Sequence, residues 1–141
     1  MADNAEYNRL VNEKTARQNE YNACVQRIDD YEYLLRRLRT ARDTVNDLKN
    51  QFNKDVQRKD KGFKNDDLQW KGAQRDTYKR KMETLVNANE TYYKKTLDYV
   101  LDQLNWEITR IKNLQNDEYG LLGWLDDRIN NLGTMIVNFF N

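Results

Sequence analysis

The stretch that decides the fold runs from Tyr21 to Phe52 and reads YNACVQRIDDYEYLLRRLRTARDTVNDLKNQF. Its apolar side chains recur at alternating intervals of three and four residues, with Arg42 filling one slot. They are Tyr21, Cys24, Ile28, Tyr31, Leu35, Leu38, Val45, Leu48 and Phe52. This heptad spacing keeps one stripe of a helix against a partner helix. It predicts a first helix over about Asn4 to Lys59, in which Tyr7, Leu10, Lys14 and Arg17 continue the same register.

A second periodic run predicts a second helix over about residues 73–118. It comprises Tyr78, Met82, Leu85, Tyr92, Leu97, Leu101, Leu104, Ile108, Ile111 and Leu114. Gly62 follows a basic turn, which is typical of a helix end, so about residues 60–72 are expected to form the connection. Two helices of similar length with a short connection fold back as an antiparallel, coiled-coil-like hairpin.

Gly120 and Gly123 interrupt the chain after the second run and predict a third, amphipathic helix over about residues 121–140. Its charged residues Asp126, Asp127 and Arg128 exclude a membrane span. Its acidic, asparagine-rich polar face favours packing on the hairpin or on a partner over lying on a membrane surface. The sequence therefore predicts an all-α protein with one domain over residues 1–141.

The composition supports long, exposed helices. Of the 141 residues, 33% are charged and 38% hydrophobic, and the mean hydropathy is −1.09. Nine Tyr, three Trp and four Phe, with no Pro, argue against disorder. The absence of His and the single Cys24 exclude catalytic triads, Cys and His pairs and imidazole zinc sites. The acidic residues lack the spacing of a calcium loop. We therefore expect no enzymatic activity, no metal and no cofactor, and a buried packing role for Cys24.

The charge balance limits the classes of partner that are expected, and the N-terminal sequence indicates the cellular location. A net charge of +1 disfavours nucleic-acid binding. From Lys71 to Lys95 there are seven basic and three acidic residues, and from Asp98 to Asp127 two basic and seven acidic. These blocks are either a solvated helix surface or a docking patch. Met1 to Lys14 contains no signal-peptide run, and no apolar stretch is long enough for a membrane span, so a cytoplasmic location is expected.

The segment between the two predicted helices carries the tripeptide Trp70, Lys71 and Gly72. A WxG tripeptide near the midpoint of a two-helix chain resembles the WxG helical-hairpin superfamily of ESX, or type VII, secretion systems. Within that superfamily the chain looks most like the small helical partners of LXG-domain toxins of Gram-positive bacteria. The resemblance covers about Asn4 to Glu118 as architecture, and only Trp70 and Gly72 as motif.

The resemblance implies a targeting chaperone. It would bind the helical LXG domain of a toxin, with room for a second small helical partner, and direct the toxin to the secretion machinery. The protein would be cytoplasmic before export, and the resemblance leaves open whether it is secreted with its partner. Trp106 and Trp124 are the expected partner contacts outside the turn, with packing against the third helix as the alternative.

The export signal of the family, an aromatic residue followed four positions later by an acidic one, has one counterpart in this sequence. Phe63 and Asp67 match it, but they lie before Trp70. They act either as this signal or as part of a helix start, with Asp66 as N-cap and Gln69 completing a capping box. The alternative function for the whole chain is a homodimeric coiled-coil scaffold or tether with no role in secretion.

Overall fold

The computed structural model describes residues 2–64 and 73–141, with side chains over 4–58 and 76–141. Two α-helices occupy these ranges, α1 over Ala2–Lys64 and α2 over Ala73–Asn138. The described ranges contain no strand. The all-α class predicted from the heptads is therefore confirmed. No helix in the described part of the chain is both long and apolar enough to cross a membrane.

The helix ends differ from the predicted ones. The backbone of α1 stays helical through Gly62 to Lys64 rather than stopping near Lys59. The prediction of a separate third helix over about residues 121–140 is wrong, because α2 continues through Gly120 and Gly123 to Asn138. A glycine inside a helix costs only about 1 kcal/mol relative to alanine. Fully burying one leucine stabilises by about 2 kcal/mol, which exceeds the cost of one such glycine.

Residue contacts divide the chain into two units. Unit 1 comprises Met1–Arg37 and Ile108–Asn141. Its two helical pieces run antiparallel, since Glu13 contacts Arg128 and Cys24 contacts Glu118. The buried hydrophobic core of this unit consists of Leu10, Cys24, Ile28, Leu35, Ile108, Ile111, Leu125 and Leu132. We call the stripe of each helix that faces the other helix the seam.

The predicted register of α1 is confirmed in unit 1. Leu10, Cys24, Ile28 and Leu35 are buried at the positions that the heptads assign to the seam. Cys24 is fully buried and packs against Leu125, with Tyr21 and Leu122 partly buried around them. Arg17, a polar residue at a position of the predicted register, is half-buried as well.

Unit 2 comprises Leu38–Glu107, and its two helical pieces are also antiparallel. Phe52 packs on Tyr93 with ring centroids 5.6 Å apart, and Lys49 forms an ion pair with Asp98. The side chains described in unit 2 are at most half-buried. The prediction that Leu48 lies on the seam is wrong, because 55% of this residue is exposed. The strict seven-residue interval from Arg42 reaches Lys49, which is half-buried in its place.

Candidate interaction surfaces

The residues predicted to contact partners fall in three parts of the chain. Asp67, Trp70 and Gly72 lie outside the described residues, as does the side chain of Phe63. Trp106 belongs to unit 2 and Trp124 to unit 1. These two side chains are 64% and 52% exposed, so neither is a core residue. Because they belong to different units, each is described with the exposed side chains of its own unit.

The first surface is a row of large side chains along α2 in unit 2. Tyr78, Leu85, Tyr92, Tyr99 and Trp106 follow one another at intervals of seven residues, and each is between 49% and 67% exposed. Seven residues turn a helix by almost two full turns, so these side chains form one line along it. We call this line the outer stripe. Three of its members were predicted on the seam, and for Tyr78, Leu85 and Tyr92 that assignment is wrong.

The seam of α2 in unit 2 explains why Tyr99 and Trp106 of the outer stripe are exposed. Leu97, Leu101 and Leu104 are half-buried and form the seam there. Tyr99 and Trp106 lie two residues from Leu101 and Leu104, which is about 200° around the helix. They therefore point away from α1. Because the outer stripe and the seam both repeat every seven residues, the sequence pattern alone does not show which of the two faces α1.

The second surface lies on unit 1 and combines both helices. Leu121, Trp124 and Met135 are 39%, 52% and 47% exposed, and their spacing of three and eleven residues places them on one side of α2. The guanidinium carbon of Arg17 lies 5.4 Å from the ring centroid of Trp124, a cation–π contact. Nη1 of Arg17 also donates to Glu20 at 3.0 Å. We call these residues, with Arg17, the Trp124 face.

At the seam of unit 1, Glu118 of α2 accepts hydrogen bonds from two residues of α1. Nε of Arg27 donates to its Oε1 at 2.9 Å, and the thiol of Cys24 lies 3.2 Å from both its Oε2 and its backbone oxygen. The hydrogen bond from Arg27, then that from Cys24, lowers the pKa of Glu118. Burial, followed by the contact with Glu118, raises the pKa of the Cys24 thiol. Cys24 is therefore a packing residue and an unreactive thiol.

Two further polar contacts join the helices of unit 1. Gln115 is 8% exposed, and its Nε2 donates to the backbone oxygen of Ile28 at 3.4 Å and to Glu32 at 3.1 Å. Nε and Nη2 of Arg128 donate to Oε1 of Glu13 at 3.0 and 2.6 Å. Such contacts specify one register, because a slip of one heptad would leave buried polar groups unpaired. Gln115 and Glu118 occupy seam positions that an apolar pattern does not include.

We expect acid to weaken unit 1 through Glu118. A carboxylate whose pKa is lowered by folding stabilises the native state above its unfolded pKa of about 4.3, and this stabilisation is lost as pH falls through the lower folded value. Glu118→Gln removes the effect. The variant should melt below the wild type at about pH 7, and the difference should shrink at about pH 3. Thermal unfolding followed by circular dichroism measures both.

Asp117→Asn is the matched control for this experiment. Asp117 is the neighbouring carboxylate and is exposed. Its substitution should leave the melting temperature nearly unchanged at both pH values. A pH-independent difference between the wild type and Glu118→Gln would contradict the role of the Glu118 charge.

The surface of the described residues includes a groove and an open depression. A groove of about 140 Å³ in unit 2 is lined by Phe52, Asp55, Val56, Val86, Asn89, Glu90 and Tyr93. An open depression of about 440 Å³ in unit 1 is lined by Gln18, Asn19, Tyr21, Asn22, Asp126 and Ile129. Among the side chains described, no cluster of three or more Cys, Asp or Glu could hold a metal ion. The outer stripe and the Trp124 face carry the two tryptophans among the described side chains, Trp106 and Trp124, and both are exposed.

The chain matches no family model, no curated protein sequence and no solved structure.

Proposed function

We propose that this protein is a non-enzymatic targeting chaperone that binds the helical LXG domain of a toxin and directs it to a type VII secretion system. The observation that carries the binding part of the proposal is the Trp124 face. Trp and Arg are the residues most enriched at the centres of protein interfaces. Here Trp124 and Arg17 are held in contact on the outside of unit 1, although more than half of the indole remains exposed.

The chemistry of the Trp124 face fits an amphipathic helix. Leu121, Trp124 and Met135 line one side of α2 over about 21 Å, four turns of helix. Arg17 and Glu20 border this row from α1 with one charge of each sign. A helix laid along the face would place its apolar side chains on the row and its charged side chains beside α1. LXG domains supply long helices of this kind, as the resemblance implies.

The targeting part of the proposal rests on the sequence. Trp70 and Gly72 supply the WxG tripeptide, and they would shape the end that is presented to the secretion machinery. Phe63 and Asp67 would contribute either the export signal or the helix start. In this proposal the toxin is captured by the Trp124 face of unit 1, and delivery uses a different set of residues.

Co-expression with the LXG protein encoded beside this chain tests the proposal. The LXG domain should co-purify with the wild type at a stoichiometric ratio. Trp124→Ala should weaken the complex by about 30-fold, which is the effect of losing one interface hot spot. Affinity is measured by calorimetry on the purified components.

Trp106→Ala is the control for that substitution. Trp106 is also an exposed tryptophan on α2, but it belongs to unit 2. It should leave the affinity for the LXG domain within about twofold of wild type. Failure of the wild type to co-purify with the LXG domain would overturn the proposed function, and equal losses for Trp106→Ala and Trp124→Ala would overturn the assignment of the surface.

A further inference from the structure

The groove of unit 2 lies at the seam, and both helices contribute seam residues to it. Phe52 and Val56 continue the three-and-four spacing of α1, and Val86 and Tyr93 lie eleven and four residues before the half-buried Leu97 of α2. Both of these intervals keep a residue on the same side of a helix. Valine is smaller than leucine, so a layer with two valines fills less of the space between the helices. The groove of about 140 Å³ lies in this layer.

Glu90 occupies the seam position of α2 in this groove. It lies seven residues before Leu97 and fourteen before Leu104, which are half-buried seam residues, and its own side chain is half-buried. Its Oε1 is almost inaccessible to water and has no hydrogen-bond partner among the described residues. This carboxylate oxygen has lost its hydration without a replacement, which makes the folded state less stable than an apolar side chain would here.

Other charged side chains on the seam have partners on the opposite helix. In unit 1, Glu118 accepts a hydrogen bond from Arg27, and in unit 2, Lys49 forms an ion pair with Asp98. Glu90 instead lines a groove in which the seam residues of α1 are apolar. A cation that is brought by another molecule would give this carboxylate the partner that the seam does not supply.

We infer that the groove binds the guanidinium group of an arginine side chain from a protein partner. The guanidinium pairs with the Glu90 carboxylate, and Asp55, an exposed residue of the lining, adds a second negative charge. Phe52 and Tyr93, whose ring centroids are 5.6 Å apart, add two aromatic rings to the lining. A cation beside aromatic rings is stabilised by cation–π attraction as well as by its counter-charge.

The chemistry of the groove favours arginine over lysine. The guanidinium is planar and weakly hydrated, so it stacks on aromatic rings and enters apolar surroundings more easily than the compact, strongly hydrated ammonium of lysine. It also donates two parallel hydrogen bonds to one carboxylate. Both properties match a lining that combines aromatic rings, two valines and a half-buried carboxylate.

The size of the groove favours a side chain over a free small molecule. A cavity of about 150 Å³ holds a molecule as large as benzene, and a guanidinium with its adjoining methylene groups is of similar size. Sites for small molecules usually measure about 300–1,000 Å³. The groove of about 140 Å³ therefore accommodates the end of one side chain, while the backbone of the partner stays outside.

Titration of the full chain with N-acetyl-arginine amide tests the inference. Backbone amide chemical shifts of Phe52, Glu90 and Tyr93, measured by NMR, should saturate with a dissociation constant of about 1 mM, as expected for one isolated side chain. N-acetyl-lysine amide should bind at least about fivefold more weakly. N-acetyl-citrulline amide, the uncharged analogue, should produce no saturable shift.

Two substitutions of Glu90 separate binding from folding. Glu90→Gln should weaken binding of the arginine amide by at least about tenfold. Glu83→Gln is the matched control, since it removes an exposed carboxylate seven residues earlier on α2, and it should leave binding within about twofold of wild type. Glu90→Leu should abolish binding and raise the melting temperature by about 4 °C, because an apolar side chain replaces an unpaired seam carboxylate.

Four results would overturn the inference. They are no saturable shift with the arginine amide, equal binding of the arginine and lysine amides, equal effects of Glu83→Gln and Glu90→Gln, and a Glu90→Leu variant less stable than the wild type. Binding of agmatine at micromolar concentration would identify a free small molecule as the ligand and overturn the assignment to a protein side chain. The proposed binding of the LXG domain involves unit 1, so the two proposals can fail separately.

Discussion

Leu125→Ala is expected to lower the free energy of unfolding by about 3 kcal/mol, within the range for leucine truncation in a closely packed core. Leu125 is completely buried and packs against Cys24 and Ile28 across the seam of unit 1. The substitution removes apolar contacts and leaves a cavity that two rigid helices close only in part. Urea unfolding followed by circular dichroism at 222 nm measures the change.

Leu121→Ala is the matched control. Leu121 lies four residues earlier on α2, but 39% of it is exposed. The same chemical change should cost less than about 1 kcal/mol there, because part of the side chain is already in water. Similar losses at the two positions would contradict the register of α2 against α1.

Replacing Gly120 and Gly123 together by alanine is expected to raise the free energy of unfolding by about 1.5 kcal/mol. Both residues are inside α2, and a Cβ atom added at either would meet nothing within 4 Å. Alanine therefore gains helix propensity, about 0.8 kcal/mol per site, without a steric penalty.

The same double substitution separates the continuous helix from a break. If the chain turned at Gly120 and Gly123, alanine would oppose the turn, and stability would fall. Gly133→Ala is the control inside the same helix, where a Cβ would come within 3.6 Å of Nζ of Lys14. That contact is ordinary, so a similar gain is expected at Gly133. If the double substitution at Gly120 and Gly123 lowers stability while Gly133→Ala does not, the result would support the predicted third helix instead.

The fold of α1 could be predicted from the sequence because its apolar and polar residues separate cleanly. Apart from Tyr33 and the small Ala16 and Ala23, the positions opposite the seam of α1 are polar, so the three-and-four spacing of Cys24, Ile28, Tyr31 and Leu35 points to a single stripe. Leu48 was the exception, since it stands one residue before the seam position of Lys49. The apolar pattern includes Leu48, although the seven-residue interval assigns the seam position to Lys49.

The candidate surfaces were less predictable. α2 carries large apolar residues on two stripes that share one period, and a single helix has no property that says which of them faces another helix. The sequence left two roles open for Trp106 and Trp124, partner contact or packing against the third helix, and both residues are more than half exposed. The contact of Trp124 with Arg17 joins two residues distant in sequence, and no local pattern contains it.

The sequence by itself determined that the protein is helical and which stripe of α1 is buried, because heptad spacing acts through local geometry. Only the tertiary structure decided which stripe of α2 is the seam, since burial depends on the side chains that α1 places opposite it. It also decided that α2 passes through Gly120 and Gly123. A local glycine signal of about 1 kcal/mol per residue is outweighed when Leu125 and Leu132, which follow the two glycines in α2, are buried completely.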